Sequence, residues 1–316
     1  MAPSHIPIVD ITPFREGNPE GSRNAVQTIG RACEEIGFFT IVGHGVSADL
    51  IDRLYHTSRA FFDMPLEKKR LVGPTGDELG GLMYFTLMAE NLAASIGKKR
   101  PGDLKESLDY GPGFYGVPWP AEPADLKAVW LEYYDAMSEL SGHLRRIFAL
   151  AIGLPETHFE DKFDHHHSSL RVLNYPAQKE APLPGQIRAG EHSDYGFLTI
   201  LRSEDAPGGL QAQHRNGEWI DVPTIDNSFV VNIGDAMMRW TNDRWISTVH
   251  RVVNPPAGTS QNSRRQSMPF FHNPNIDAVI ECLDAFCDAD NPAKYEPLTY
   301  GEYAELKYRQ AHGEDE

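Results

Sequence analysis

The sequence predicts a mainly β fold with α-helices, in which a helical N-terminal half packs on a C-terminal antiparallel β-barrel and a last helix closes the chain. Three observations carry this. From about residue 168 the chain breaks into short β-rich runs ("LRVLNYP", "FLTILRS", "SFVVNIGD", "STVHRVVNPP", "RQSMPFFHNP") separated by Gly, Pro and Asn turns, the pattern of a sandwich or barrel rather than of βαβ units. Upstream, apolar residues recur at helical spacing. The 316 residues, 41% hydrophobic and 23% charged, suit one large globular unit with ample core.

Taken in order, "PIVDI" (7–11) reads as a short strand. A helix follows over about 22–36, with Ala25, Val26, Ile29, Cys33 and Ile36 on one face and Ser22 as its N-cap. "FFTIVGHG" (38–45) is β-rich, and a second amphipathic helix runs from Ser47 to about Met64, where Pro65 ends it. Residues 66–122, rich in Gly and Pro, read as irregular. A long helix spans about 123–152, with Leu126, Val129, Trp130, Tyr133, Met137, Leu140, Leu144 and Phe148 on one face. "PLTYGEYAELKYRQ" (297–310) reads as the final helix. The expected organisation is one integrated unit: strand, helices and loops over 1–122, long helix and connection over 123–167, barrel over 168–296, C-terminal helix and acidic tail over 297–316.

Composition narrows the function. A formal charge of −16 without a basic stripe disfavours nucleic acid as a partner. No apolar run reaches the roughly 18–20 residues of a membrane span, and the N-terminus lacks the basic and apolar regions of a signal peptide. Three cysteines without C-x-x-C spacing argue against a disulfide framework or structural zinc, so a cytoplasmic setting is expected. No segment marks an obligate protein partner.

In "EHSDYGFLTIL" (191–201), His192 and Asp194 share a face if the segment is extended, and Ser193 points away. With His250 of "ISTVHRVVNPP" they would form a two-histidine, one-carboxylate site for non-haem Fe(II). The bland alternative is a hydrogen-bonded strand end. Zinc suits the same donors, but hydrolysis would need a base, and the adjacent Glu191 faces the opposite way. The run His165–His166–His167 reads as a surface or packing feature. In "SRRQSMPFF", Arg265 and Ser267 share a strand face and could cradle a carboxylate, with Arg264 pointing away; Tyr175 could add a phenol. The bland alternative for Arg265 is a structural ion pair.

Together these pieces resemble the 2-oxoglutarate/Fe(II)-dependent dioxygenases, in the isopenicillin N synthase-like branch. "IPIVDITPF", "GFFTIVGHGV", "DLKESLDYG", "LNYP", "EHSDYGFLTIL", "GGLQ", "VVNIGD", "WISTVHRVVNP" and "RQSMPFFHNPN" follow the family order across nearly the whole chain. The resemblance implies a double-stranded β-helix (jelly-roll) core. It also implies Fe(II) at His192, Asp194 and His250, and 2-oxoglutarate held by Arg265, Ser267 and Tyr175. The implied reaction uses O2, releases succinate and CO2, and oxidises an unactivated C–H bond of a small molecule. Hydroxylation is its default outcome; desaturation, ring formation and demethylation are alternatives. The substrate pocket would lie at the barrel mouth, under the C-terminal helix and a loop around Tyr84 and Phe85, with Phe271 and Asn273 as walls.

Two departures stand out. Leu173 replaces the asparagine that leads the family's tyrosine motif, and residues 256–263 lengthen the interval from His250 to Arg265 as a turn insertion. His44 also matches a family position, with a structural role expected. Two rival readings remain: an oxidase of the same fold that dispenses with 2-oxoglutarate, and a non-enzymatic small-molecule binding protein.

Overall fold

The computed structural model describes residues 5–178, 180–259 and 263–312. The N-terminal part contains β1 (Ile8–Asp10), α1 (Thr12–Arg15), α2 (Pro19–Glu35), β2 (Phe38–Val42), α3 (Ala48–Phe62) and α4 (Leu66–Lys69). It continues through β3 (Glu78–Leu79), β4 (Leu82–Phe85), β5 (Glu106–Tyr110), β6 (Tyr115–Gly116) and the long α5 (Leu126–Ala151). Seven strands follow with one short helix: β7 (Ser169–Tyr175), β8 (Ala189–His192), β9 (Leu198–Ser203), β10 (Leu210–Gln213), β11 (Trp219–Asp221), β12 (Phe229–Ile233), α6 (Asp235–Trp240) and β13 (His250–Val252). The chain ends with β14 (Arg265–His272), β15 (Val279–Ile280), β16 (Leu298–Thr299) and α7 (Tyr300–His312).

Two sheets face each other. The larger has the order β1-β2-β12-β9-β14-β7-β5-β4, the smaller β11-β10-β13-β8. Among the described strands only β1 and β2 pair in parallel. Period-two alternation gives the larger sheet its two faces. On β7, Leu170 and Val172 join the main core, whereas Ser169, Arg171, Leu173 and Tyr175 line an internal cavity. On β14, Met268 and Phe270 face the core, and Arg265, Ser267, Pro269 and Phe271 face the cavity. The core side is covered by α2, α3 and α5, whose Trp130, Tyr133, Leu144 and Phe148 are buried as their spacing predicts. No helix among the described residues is long and apolar enough to cross a membrane.

Two expectations need correction. Helix α2 begins at Pro19, and its N-cap is Asn18, whose Oδ1 accepts from the Glu20 and Gly21 amides at 3.1 Å each. Proline at the first helical position needs no amide partner, so the helix starts before Ser22, whose hydroxyl instead donates to the Asn18 carbonyl at 2.6 Å. Residues 66–122 are not merely irregular, because β4 and β5 extend the larger sheet to its edge. Strand β5 does not read as a strand because both its faces are buried and each carries a charge, Glu106 paired with Lys69 on one and Asp109 with Arg171 on the other. Residues 260–262 of the expected turn insertion and the tail 313–316 lie outside the described residues.

Candidate metal centre and co-substrate site

Strands β8 and β13 run antiparallel with His192 directly opposite His250. That register brings the two imidazoles side by side, with ring centroids 4.3 Å apart and planes inclined at 54°. Asp194 follows where β8 ends, and its Oδ1 lies 3.9 Å from His192 Nε2 and 3.7 Å from His250 Nε2. One donor atom from each residue falls within 4.8 Å of the others, an arrangement that can hold a metal ion.

The tautomers follow from the backbone. His192 Nδ1 lies 2.7 Å from the Gly190 carbonyl and His250 Nδ1 lies 3.0 Å from the Thr248 carbonyl. A carbonyl only accepts, so Nδ1 carries the proton in each ring and Nε2 presents its lone pair to Asp194. Asp194 is oriented in turn. Its Oδ2 accepts from Thr199 Oγ1 at 2.5 Å and from Asn232 Nδ2 at 2.7 Å, leaving Oδ1 turned to the imidazoles. Thr199 and Asn232 are register partners on β9 and β12. Close backbone approach completes the corner: a Cβ on Gly234 would sit 2.1 Å from the Gly196 carbonyl oxygen, and the next amide, of Asp235, donates to the Asp194 carbonyl at 2.7 Å.

Protonation matches this donor set. Burial, then the neighbouring His250, pushes His192 well below the usual imidazole range. Burial would raise Asp194, but attraction to the imidazoles in their protonated form and the hydrogen bonds from Asn232 and Thr199 outweigh it and hold the carboxyl below its ordinary value. Neutral imidazole and ionised carboxylate are the forms a divalent metal takes. Two imidazole nitrogens and one carboxylate converging from one side fit Fe(II). Ser193 points away, donating to Asp235 at 3.2 Å, and buried Glu191 accepts from Arg100 at 2.6 Å.

On the same cavity, Arg265 and Tyr175 are register partners on β14 and β7. The guanidinium carbon lies 5.4 Å from the Tyr175 ring centroid. Ser267 shares this face. Arg265 is 2% exposed, yet its Nη1 has no hydrogen-bond partner among the described residues. A buried guanidinium nitrogen left without an acceptor is expensive, and a carboxylate would satisfy it. Burial lowers the Arg265 pKa, with Tyr175 and then Glu204 opposing. Arg264 points the other way, to Asn174 Oδ1 at 3.0 Å and to Asp63.

The cavity has a volume of about 630 Å³, and α7 contributes Tyr300, Ala304, Glu305 and Tyr308 to its wall. Phe271 and Asn273 line it; Tyr84 and Phe85 do not. Tyr84 is 1% exposed on the core side of β4, with its hydroxyl on Glu106. Phe85 has the correct parity but sits on the outermost strand, against Arg171, whose guanidinium carbon is 5.7 Å from its ring centroid. Of the histidine run, His165 is exposed between Asp164 and Asp277, and His166 stacks on Tyr134. His167 packs on Phe114 at 4.4 Å and also reaches the cavity wall. His44 packs against Phe229 at 4.5 Å, away from the metal donors.

Comparison with known proteins agrees with this geometry. Residues 167–274 match the 2OG-Fe(II) oxygenase superfamily, and residues 6–132 match the N-terminal region of the non-haem dioxygenases of morphine synthesis. The 2-oxoglutarate-Fe(II) type oxidoreductase hxnY of Emericella nidulans is 31% identical, over 100% of this chain and 93% of its own length. A homoarginine-6-hydroxylase of Oryza sativa is 32% identical, over 94% of each chain. Among solved structures, a full-length Neurospora crassa protein in complex with alpha-KG and thymine is 35% identical with a TM-score of 0.84, covering 98% of this chain and 97% of that one. JOX2 in complex with 2OG, Fe and JA is 29% identical with a TM-score of 0.76, covering 96% and 84%. With its jelly-roll core and His-Asp-His cluster, the chain belongs to the Fe(II)/2-oxoglutarate-dependent dioxygenases, in their isopenicillin N synthase-like branch, and is an oxidoreductase using Fe(II), 2-oxoglutarate and O2.

Proposed function

We propose that His192, Asp194 and His250 hold the Fe(II), that Arg265, Ser267 and Tyr175 hold the distal carboxylate of 2-oxoglutarate, and that a small-molecule substrate enters the cavity under α7. The observation that carries the co-substrate assignment is that Nη1 of buried Arg265 has no partner among the described residues, on the cavity that the three metal donors also line. The overall reaction consumes 2-oxoglutarate, O2 and a substrate C–H, and yields succinate, CO2 and, in the default case, the C–OH product. Bound Fe(II) supplies the redox chemistry that couples decarboxylation to C–H oxidation.

The protein supplies positions. Thr199 and Asn232 fix the Asp194 carboxylate, the Gly190 and Thr248 carbonyls fix the imidazoles, and the Tyr175 ring packs on Arg265. Second contacts of this kind orient metal ligands and raise their basicity. Phe271 and Tyr300 form apolar wall close to these groups and keep bulk water from the reacting centre.

The test is succinate formation from 2-oxoglutarate by purified protein with Fe(II) and O2. Succinate is expected, and it should disappear when the metal is chelated or O2 removed. Full turnover of a substrate with 2-oxoglutarate omitted would instead favour an oxidase that places a substrate carboxylate on Arg265.

A further inference from the structure

A second set of buried charges lines the cavity, unrelated to metal or co-substrate. Asp109 on β5 is the register partner of Arg171 on β7, and both line the cavity with Lys105. Arg171 donates through Nε to Asp109 Oδ2 at 2.8 Å, and its Nη2 goes to the same oxygen. Its Nη1 donates to Glu90 at 3.1 Å. Lys105 also pairs with Glu90 and lies 4.0 Å from Asp103. Both cations are therefore already paired with carboxylates of the group, which disfavours a further carboxylate from a ligand. The group holds three carboxylates, Glu90, Asp103 and Asp109, against two cations.

One atom is left over. Asp109 is 6% exposed, and its Oδ1 accepts no hydrogen bond from any described residue. A buried carboxylate oxygen on a cavity wall, in a group with surplus negative charge, calls for a donor from the ligand. Nearby, Phe114 and Phe271 offer aromatic walls suited to a planar group. We propose that Asp109 Oδ1 recognises the primary substrate, and that this substrate is a small molecule presenting an N–H edge, of the imide or guanidinium kind, rather than a carboxylic acid. The proposal rests on the cavity being the oxygenase substrate site. Burial pushes the Asp109 carboxyl up, with Arg171 opposing; an N–H donor at Oδ1 would favour the ionised form as Arg171 does.

The test compares wild type with Asp109→Asn. In the variant, the Arg171 donors hold the amide oxygen at the Oδ2 position, so the amide NH2 takes the place of Oδ1 and turns an acceptor into a donor. Anaerobic Fe(II) protein saturated with 2-oxoglutarate is titrated with thymine and homoarginine, each beside an N-methylated counterpart, and with cyclohexanecarboxylate and cyclohexanol. Wild type should bind at least one N–H probe about tenfold or more tighter than its N-methylated form, and more tightly than the acid or the alcohol. In Asp109→Asn that ratio should fall towards one. Which parent binds separates a neutral imide from a cationic guanidinium.

A ratio of two ligands on one sample does not depend on the folded fraction, and the wild-type arm stands even if the variant does not fold. The proposal is overturned if no N–H probe outbinds its methylated form, if the acid or alcohol binds tighter, or if a folded variant keeps the wild-type ratio. Failure of wild type to bind 2-oxoglutarate would overturn the oxygenase reading instead, and is measured first.

Discussion

Asp194 is held by two hydrogen bonds to a single oxygen, which makes its supports separable from the metal donors. Thr199→Val removes the 2.5 Å bond while nearly keeping shape, and Asn232→Ala removes the 2.7 Å bond. A hydrogen bond to a charged group contributes about 1.5–3 kcal/mol, and each 1.4 kcal/mol is tenfold in an equilibrium constant. Either change should therefore weaken divalent metal affinity about ten- to hundredfold, the range found for groups that orient metal ligands. Because both bonds act on Oδ2, the double variant should lose less than the product of the single losses. Anaerobic titration of metal-free protein with Co(II), followed by visible absorbance, reads the affinity without requiring turnover. Ser193→Ala is the control, since that hydroxyl reaches Asp235 rather than the Asp194 carboxylate. Unchanged affinity in the double variant would refute the reasoning. So would an equal loss in Ser193→Ala, which would mean that any change to this corner disturbs the site.

Arg265→Lys should raise the 2-oxoglutarate Kd about ten- to hundredfold, because an ammonium cannot reproduce a bidentate fork; a titration within twofold of wild type would count against the clamp. Tyr84→Phe should cost about 1–2 kcal/mol of stability in urea unfolding, since Glu106 keeps Lys69 and Asn174 at 2.7 Å each, and should leave the 2-oxoglutarate KM alone; a raised KM would return Tyr84 to the cavity. Burial, with Lys105 opposing, pushes the Asp103 carboxyl from 3.8 up to about 6. The native state then holds this proton more tightly than the unfolded chain, so stability falls as pH rises through about 4 to 6, by about 3 kcal/mol in all. Asp103→Asn should flatten that fall in urea unfolding at pH 4.5 and 7.5, and parallel profiles would refute it.

What the sequence reveals here is what alternates. His192 with Asp194 and Arg265 with Ser267 are two apart on extended chain, so their common faces follow from strand geometry alone. Parity also explains the failure at Tyr84, which lies one residue from Phe85 and therefore on the core face of β4. Thr199 and Asn232 were missed because their contact with Asp194 depends on β9–β12 register, although a lone asparagine within the apolar run "FVVNI" was a usable signal. Strand β5 was harder to find. It lies in a Gly- and Pro-rich stretch that reads as irregular and its charges break the apolar alternation of a strand, whereas every residue of the strand is buried. That concealment bears on function. Buried ion pairs are often no more stabilising than apolar residues of the same volume, so stability alone is a poor reason for Arg171, Lys105, Glu90 and Asp109 to gather inside a barrel. With Arg171, Lys105 and Asp109 on the wall of the cavity that also holds His192, Asp194, His250 and Arg265, and one Asp109 oxygen without a donor among the described residues, the cluster makes better sense as the part of the barrel that selects what is oxidised.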